Sequence, residues 1–408
     1  MRSPVYARTT TLPSRLTLLT LLTVAALVGG PVASLPTEAA SGQRLARGVT
    51  YESLDVTTPR GIARAHVVEV DLWDPKVFVD LLYPGVVAER QPLSDMADER
   101  HAVAGVNGDF FNISVTQPDV VPTNAPVGPA KATGISLKGA VPTSQRFGPS
   151  LPPGTAVEDV IGVGVDRVGR LGRLTLRGRL STPYGTHDVR GLNQYAIAEG
   201  GIGAFNRAWG EVSRKRGICG TDERREDPCS LDVHEVTVRH GRVVAVSPEP
   251  GSGSIPRQSV VLLGREEGAS NLRLLQIGDE VNVSYYLASS ERVPFLFAVG
   301  GHPILRGGAP LPGLNDTVAA VRSGAGVSAN GRKLFLLALD RNAAGMTYAE
   351  LAALLLSLGA ASGVNLDGGG SSTLVVREPE TTEVTVKNLA PGDFERPVPN
   401  GIGVLTVP

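Results

Sequence analysis

The 408 residues carry a formal net charge of −1, with no long basic run and no interleaving of basic and aromatic residues, which excludes a nucleic-acid footprint. Glycine (49) and proline (30) are plentiful and aromatics few, which fits many short strands and turns and argues against a helical bundle. The length is ample for a large core and suggests about two structural units.

The first 40 residues read as a signal peptide. Arg2, Arg8 and Arg15 form a positive region. Leu16 to Val28 is apolar apart from Thr17, Thr20 and Thr23, and Gly29-Gly30-Pro31 ends it. The apolar run is short for a membrane span, so an uncleaved anchor is the second reading. No later segment resembles a transmembrane helix. The expectation is a secreted, extracellular protein with no stable membrane span after cleavage.

Gln43 to Arg47 reads as a leader. Residues 41–92 then read as N-terminal strands, with turns at Pro59-Arg60-Gly61 and Asp74-Pro75. His66 falls in a β-alternation as a packed or surface residue. Ser94 is placed to cap a short helix to about Arg100, with Met96 and Ala97 facing in.

Val103 to Val106 predicts a small buried strand running into Asn107-Gly108-Asp109-Phe110-Phe111-Asn112. That stretch is either an Asx-type turn with two core phenylalanines, or a carboxylate at a site rim with Phe110 as surface for a sugar face. Thr116 to Lys131 reads as a long loop able to cover a site. Gly134 to Gly139 reads as a strand.

Residues 150–290 form a β-rich middle region with a hairpin at His240-Gly241. Cys219 and Cys229 flank a polar loop and pair in an oxidising compartment. Two thiols without a second pair are not a zinc set, so no metal ligands are assigned there. Arg214 to Arg216 and Glu223 to Asp227 read as solvated loop charge.

Phe295 to Val299 predicts a buried strand opening into Gly300, Gly301 and His302, the histidine being an acid–base group or a turn cap. Arg322, beside small residues, suits a bidentate anion contact. Asp340 either orients Arg322 or is a turn aspartate. Thr347 and Glu350 read as a capping box, Leu351, Leu354, Leu355 and Leu358 as one apolar helix face, and Gly359 as the C-cap.

Asn365-Leu366-Asp367-Gly368-Gly369-Gly370-Ser371-Ser372 is the stretch that core packing least explains. A hairpin needs only a two-residue turn. Three glycines between a carboxylate and two hydroxyls predict a site, with backbone N–H groups free to form an anion nest. Asn400 is a turn residue, or delivers an amide to that site.

Together these motifs resemble the phosphodiester glycosidase family, typified by the enzyme that uncovers mannose 6-phosphate. The matching pieces are Gly105 to Phe111, Gly300 to Leu305, Arg322, Asp340-Arg341, Gly345-Met346-Thr347, Asn365 to Ser372 and Asn400 to Val404. The resemblance spans roughly Leu93 to the C-terminus and implies one glycosidase domain over 93–408. His302 stands where the family usually has glycine, and Asp340-Arg341-Asn342 lacks a clean Asp-Gly-Arg.

The implied fold is α+β: a mixed, mostly β-sheet core with a few packing helices. The implied reaction releases free sugar and a phosphomonoester from a sugar-1-phosphodiester, either a small molecule or a cell-wall glycan. Asp367, Asp109 and Arg322 are the expected catalytic groups. Asn107, Phe110, Gly301, His302, Asp340, Asn365, Gly368, Gly369, Gly370, Ser371, Ser372 and Asn400 are the expected substrate contacts. Two other readings stand beside it. In one, Asp109, Asp340 and Asp367 hold a divalent cation in a metal-assisted phosphodiesterase. In the other, the protein binds wall glycan without turnover.

Overall fold

The computed structural model describes residues 42–407, so the expected signal peptide lies outside the described residues. The chain is mostly β-sheet, with three sheets of eight, eleven and five strands and a few packed helices. Among the described residues no helix is long and apolar enough to cross a membrane.

The eight-stranded sheet is assembled from both ends of the described chain. Gly61–Asp71 pairs antiparallel with Lys333–Leu339, which leads through Ser323–Val327 and Ser362–Asn365 to His302–Arg306. The five-stranded sheet centres on Ala104–Asn107, flanked by Leu374–Val376 and Gly401–Thr406, with Val77–Leu82 beyond. The N-terminal strands are thus integral to both sheets. The expected leader is itself a strand, Gln43–Ala46, paired with Val49–Thr58. The eleven-stranded sheet holds the middle region together with Ala130–Ala132, Ile135–Lys138 and Phe295–Gly300.

Helix Tyr348–Ser357 carries the capping box: the Thr347 hydroxyl accepts from the Glu350 amide and the Glu350 carboxylate accepts from the Thr347 amide. It ends at Gly359, whose φ of 99° suits glycine. Leu351 and Leu355 are fully buried against the eight-stranded sheet, each removal from water being worth about 2 kcal/mol.

Two expectations are corrected. Helix Leu93–Glu99 starts behind Pro92, and Ser94 does not cap it. The Ser94 amide and hydroxyl both donate to the Glu395 carboxylate instead, at 3.0 and 2.6 Å. Arg214 and Arg216 are buried, not solvated. Glu235 accepts two bonds of 2.8 Å from the Arg214 fork, and a paired guanidinium can leave water at tolerable cost. Arg216 donates to the Gln145 side chain at 2.9 Å and lies over the Tyr195 ring. The hairpin at His240-Gly241 forms as expected, with both residues at positive φ, and Cys219 is disulfide-bonded to Cys229.

Candidate active site

The three sheets meet where their strands end. Ala104–Asn107 delivers Asp109, Ser362–Asn365 delivers Asp367, and Phe295–Gly300 passes through Gly301 into His302. The strands on either side of the glycine turn belong to different sheets, so the turn is no hairpin; it bridges a seam.

Asn107 pins that seam. Its Nδ2 donates to the Asp367 carbonyl at 2.7 Å, and its Oδ1 accepts from the Ser323 hydroxyl at 2.6 Å and the Thr373 amide at 3.1 Å. The Asp367 amide donates to Gly108 at 2.9 Å. Asn107 is fully buried. Its amide is committed to the frame and not open to a sugar hydroxyl.

The glycine turn closes around Asp367 rather than forming a nest. Gly369 has a φ of 57° and donates to Val321. The Ser371 and Ser372 amides donate back to Gly368 and Gly369, and the Gly368 amide and Ser371 hydroxyl serve the Asp367 carboxylate. Three of the five N–H groups from Gly368 to Ser372 are therefore already engaged by backbone carbonyls. Gly368 also has no room for a side chain, since a Cβ would stand 2.4 Å from the Val321 carbonyl oxygen. Ser372 is buried, 2.9 Å from the Ser323 hydroxyl, and belongs to the frame.

Asp109 sits deep, 3% exposed, in a cradle made by two glycines. The Gly128 amide donates to its Oδ2. A Cβ on Gly300 would stand 2.5 Å from that oxygen and 2.8 Å from the Gly128 Cα, so both positions require glycine. The Asp109 amide donates to Asn400 Oδ1 at 3.0 Å; Asn400 thus offers an acceptor to the protein, not an amide to a ligand.

Fully buried Lys138 lies next to this carboxylate and donates to the carbonyls of Val127, Gly128 and Gly139 at 3.1, 2.7 and 2.5 Å. An ammonium has three donors and no acceptor, and three carbonyls match the charged form. Burial pushes Asp109 up and Lys138 down, and each charge opposes that push on the other.

Asp367 is half-buried. Burial, and then the Asp109 charge, push it up to about 7, against the Ser371 hydroxyl, the Gly368 amide and Arg396. The two carboxylates therefore share one electrostatic neighbourhood.

Two guanidiniums act on them, Arg146 on Asp109 and Arg396 on Asp367, and a third, Arg322, stands beside Tyr348 and His302. Arg322 donates from Nε to the Met346 carbonyl at 2.9 Å and from Nη2 to Val318 at 2.8 Å, and lies 4.5 Å from the Tyr348 ring centroid. Arg146 donates to Phe147 and Gly148 carbonyls and acts on Asp109, His302 and Tyr348. Arg396 reaches the Ser371 hydroxyl at 3.5 Å, and its guanidinium covers Gly370. Among the described residues none of the three is ion-paired with a carboxylate, so their charge is available to an anion.

His302 stacks on Phe110 at 4.6 Å between centroids. Burial, with Arg146 and Arg322 nearby, lowers it to about 3, so it is neutral at ordinary pH. Phe110 is buried between that ring and Gly148 and offers no open sugar face. Asn365 is fully buried, donates to the Leu366 carbonyl at 2.7 Å, and leaves its Oδ1 without a partner. Gly301 packs against Val364.

Asp340 does not orient Arg322. It accepts from the Asn342 amide at 2.8 Å in its own turn and stands 3.9 Å from His66. Among the described residues no group of three His, Cys, Asp or Glu side chains gathers to hold a metal, so the arrangement of Asp109, Asp340 and Asp367 around a cation does not form.

Sequence reading missed Lys138, Gly128, Arg146, Arg396 and Tyr348. The one available signal was Lys138 itself, a lysine closing a short strand that otherwise reads as buried.

Residues 233–405 match the model of the phosphodiester glycosidase family; Asn107 and Asp109 lie upstream of that match. No curated protein sequence matches the chain. A crystal structure of a Synechocystis protein of unassigned function aligns at TM-score 0.69 and 21% identity over 92% of this chain, which spans only 64% of that one. A protein from Burkholderia pseudomallei, described as exported, aligns at TM-score 0.62 and 21% identity over 84% of this chain and 74% of its own. The catalytic domain of zebrafish N-acetylglucosamine-1-phosphodiester alpha-N-acetylglucosaminidase aligns at TM-score 0.43 and 14% identity, over 91% and 88%. The first two likenesses, at 21% identity, concern fold alone. The match to the phosphodiester glycosidase model covers residues 233–405, and Arg322, Asp367 and the whole glycine turn fall inside it.

Proposed function

We propose that the protein is an exported hydrolase that cleaves a sugar-1-phosphodiester at the bond between C1 and the phosphate oxygen. The observation that carries this reading is the pair of carboxylates, Asp109 and Asp367, set among guanidiniums that lack carboxylate partners. The disulfide and the charged, apolar N-terminal sequence support export.

A departing phosphomonoester has a second pKa of about 6, so it needs charge stabilisation more than a proton. Arg322 and Arg146 supply that charge from fixed positions, which costs no reorganisation during reaction. Asp109, held ionised by Lys138 and the Gly128 amide, opposes the positive charge that develops on the sugar ring. Asp367, with its raised pKa, is a stronger base than an ordinary carboxylate. It takes a proton from water as the water oxygen bonds to C1 and the C1–O electron pair leaves with the phosphate. Sugar and phosphomonoester are released, and Asp367 returns its proton to solvent.

The test is a panel of sugar-1-phosphodiesters incubated with purified protein, with free sugar and phosphomonoester both quantified. Equal release of both products supports the reading. Absence of both across the panel, or product formation undiminished in Asp367→Asn, overturns it.

A further inference from the structure

A second cleft lies on the eleven-stranded sheet, among residues none of which surrounds Asp109 or Asp367. Its main cavity has a volume of about 800 Å³, within the range of small-molecule sites. It continues into a second hollow of about 680 Å³, the two sharing His240, Gly241, Val281 and Asn282. Two adjoining hollows of this size have room for several linked units of a chain.

The lining has a distinct chemistry. No carboxylate lines the main cavity. Arg207 and Arg257 are both exposed there, and neither is ion-paired among the described residues. The carboxylate of the adjoining hollow, Glu280, is neutralised by Arg242. Tyr83 and Tyr285 stand half-buried in the wall, and Asn206 donates to the Tyr285 hydroxyl at 3.0 Å, holding that ring in place. Gln258 is kept at a φ of 61°, a conformation a non-glycine residue holds only when its surroundings impose it.

Unpaired guanidiniums select an anion. Half-buried tyrosines with neighbouring amides and hydroxyls match the mixed apolar and polar surface of a sugar ring. We infer that this cleft binds a strand of anionic polysaccharide, separately from the carboxylate site. A nucleic acid fits less well, because two arginines on a chain of net charge −1 neutralise few phosphates.

The test is affinity electrophoresis of the full chain in gels containing polygalacturonate, dextran or oligothymidylate. Polygalacturonate should retard the protein, and dextran and oligothymidylate should not. Arg207→Ala/Arg257→Ala should weaken retardation about tenfold, the scale of losing charge-assisted contacts, with an unchanged circular dichroism spectrum. Arg257→Glu alone should weaken it further than Arg257→Ala. Asp367→Asn should be retarded like wild type, which separates this cleft from the catalytic proposal. The inference is overturned if polygalacturonate leaves mobility unchanged, if dextran or oligothymidylate retards equally, or if the arginine variants migrate like wild type.

Discussion

Lys138 and Asp109 are joined through one residue: the Lys138 ammonium donates to the Gly128 carbonyl at 2.7 Å, and the Gly128 amide donates to the Asp109 carboxylate. Both side chains are buried, so each charge exists because the other does.

Removing one partner leaves the other charge uncompensated. Lys138→Met should therefore cost about 3–5 kcal/mol of stability, read from urea denaturation. It should also raise the Asp109 pKa further, because the charge that favours the carboxylate is gone. The acid limb of the kcat/KM profile should move to higher pH. An unchanged urea midpoint and acid limb would show that the pair does not couple.

Asp367 makes the opposite kind of prediction. Its folded pKa, about 7, lies above the unfolded carboxylate value. The folded state holds the proton more tightly, so this group's contribution is most favourable below the unfolded pKa and declines as pH rises towards 7. Asp367→Asn cannot ionise and escapes that decline. The variant's Tm relative to wild type should climb between about pH 4 and 7 and then level off, with turnover at least about a hundredfold lower. A Tm difference that is flat with pH would contradict the raised pKa.

Arg322→Ala should lower kcat/KM by about a hundredfold while leaving a folded protein, the effect expected of one preorganised electrostatic group. Arg322→Lys should recover only part of the loss, since an ammonium keeps the charge but not the fork. Full recovery by lysine would reduce the role of Arg322 to simple charge.

Gly300→Ala tests the cradle. The added methyl would meet the Asp109 carboxylate and the Gly128 backbone together. Overpacking of this kind costs about 1–3 kcal/mol. Turnover should fall more than stability does, because Asp109 is the more mobile of the two obstacles. Wild-type kinetics would show that the carboxylate tolerates displacement.

The elements most legible in the sequence were those with local causes. The capping box at Thr347 and Glu350, the glycine C-cap at 359 and the hairpin at His240-Gly241 follow from short-range chemistry, and each forms. Asp109 and Asp367, singled out in two separate motifs, act on one another electrostatically, whereas the Arg322 guanidinium turns to Met346 and Val318. What stayed hidden was partnership at long sequence distance. Arg214 looks solvated until Glu235 is placed beside it. Ser94 looks like a cap until Glu395 arrives from 301 positions away. Lys138 reads as a strand residue until the three carbonyls around it are seen. Asn107 and the turn amides were expected to face a ligand, but buried backbone has its own donors to satisfy, and those demands come first.

The two carboxylates leave strands of different sheets, and one asparagine spans the gap between them. Their separation is therefore a property of how two slabs are docked, not of any single loop. Gentle warming that lets the slabs creep past one another should abolish the proposed turnover while ellipticity still looks native.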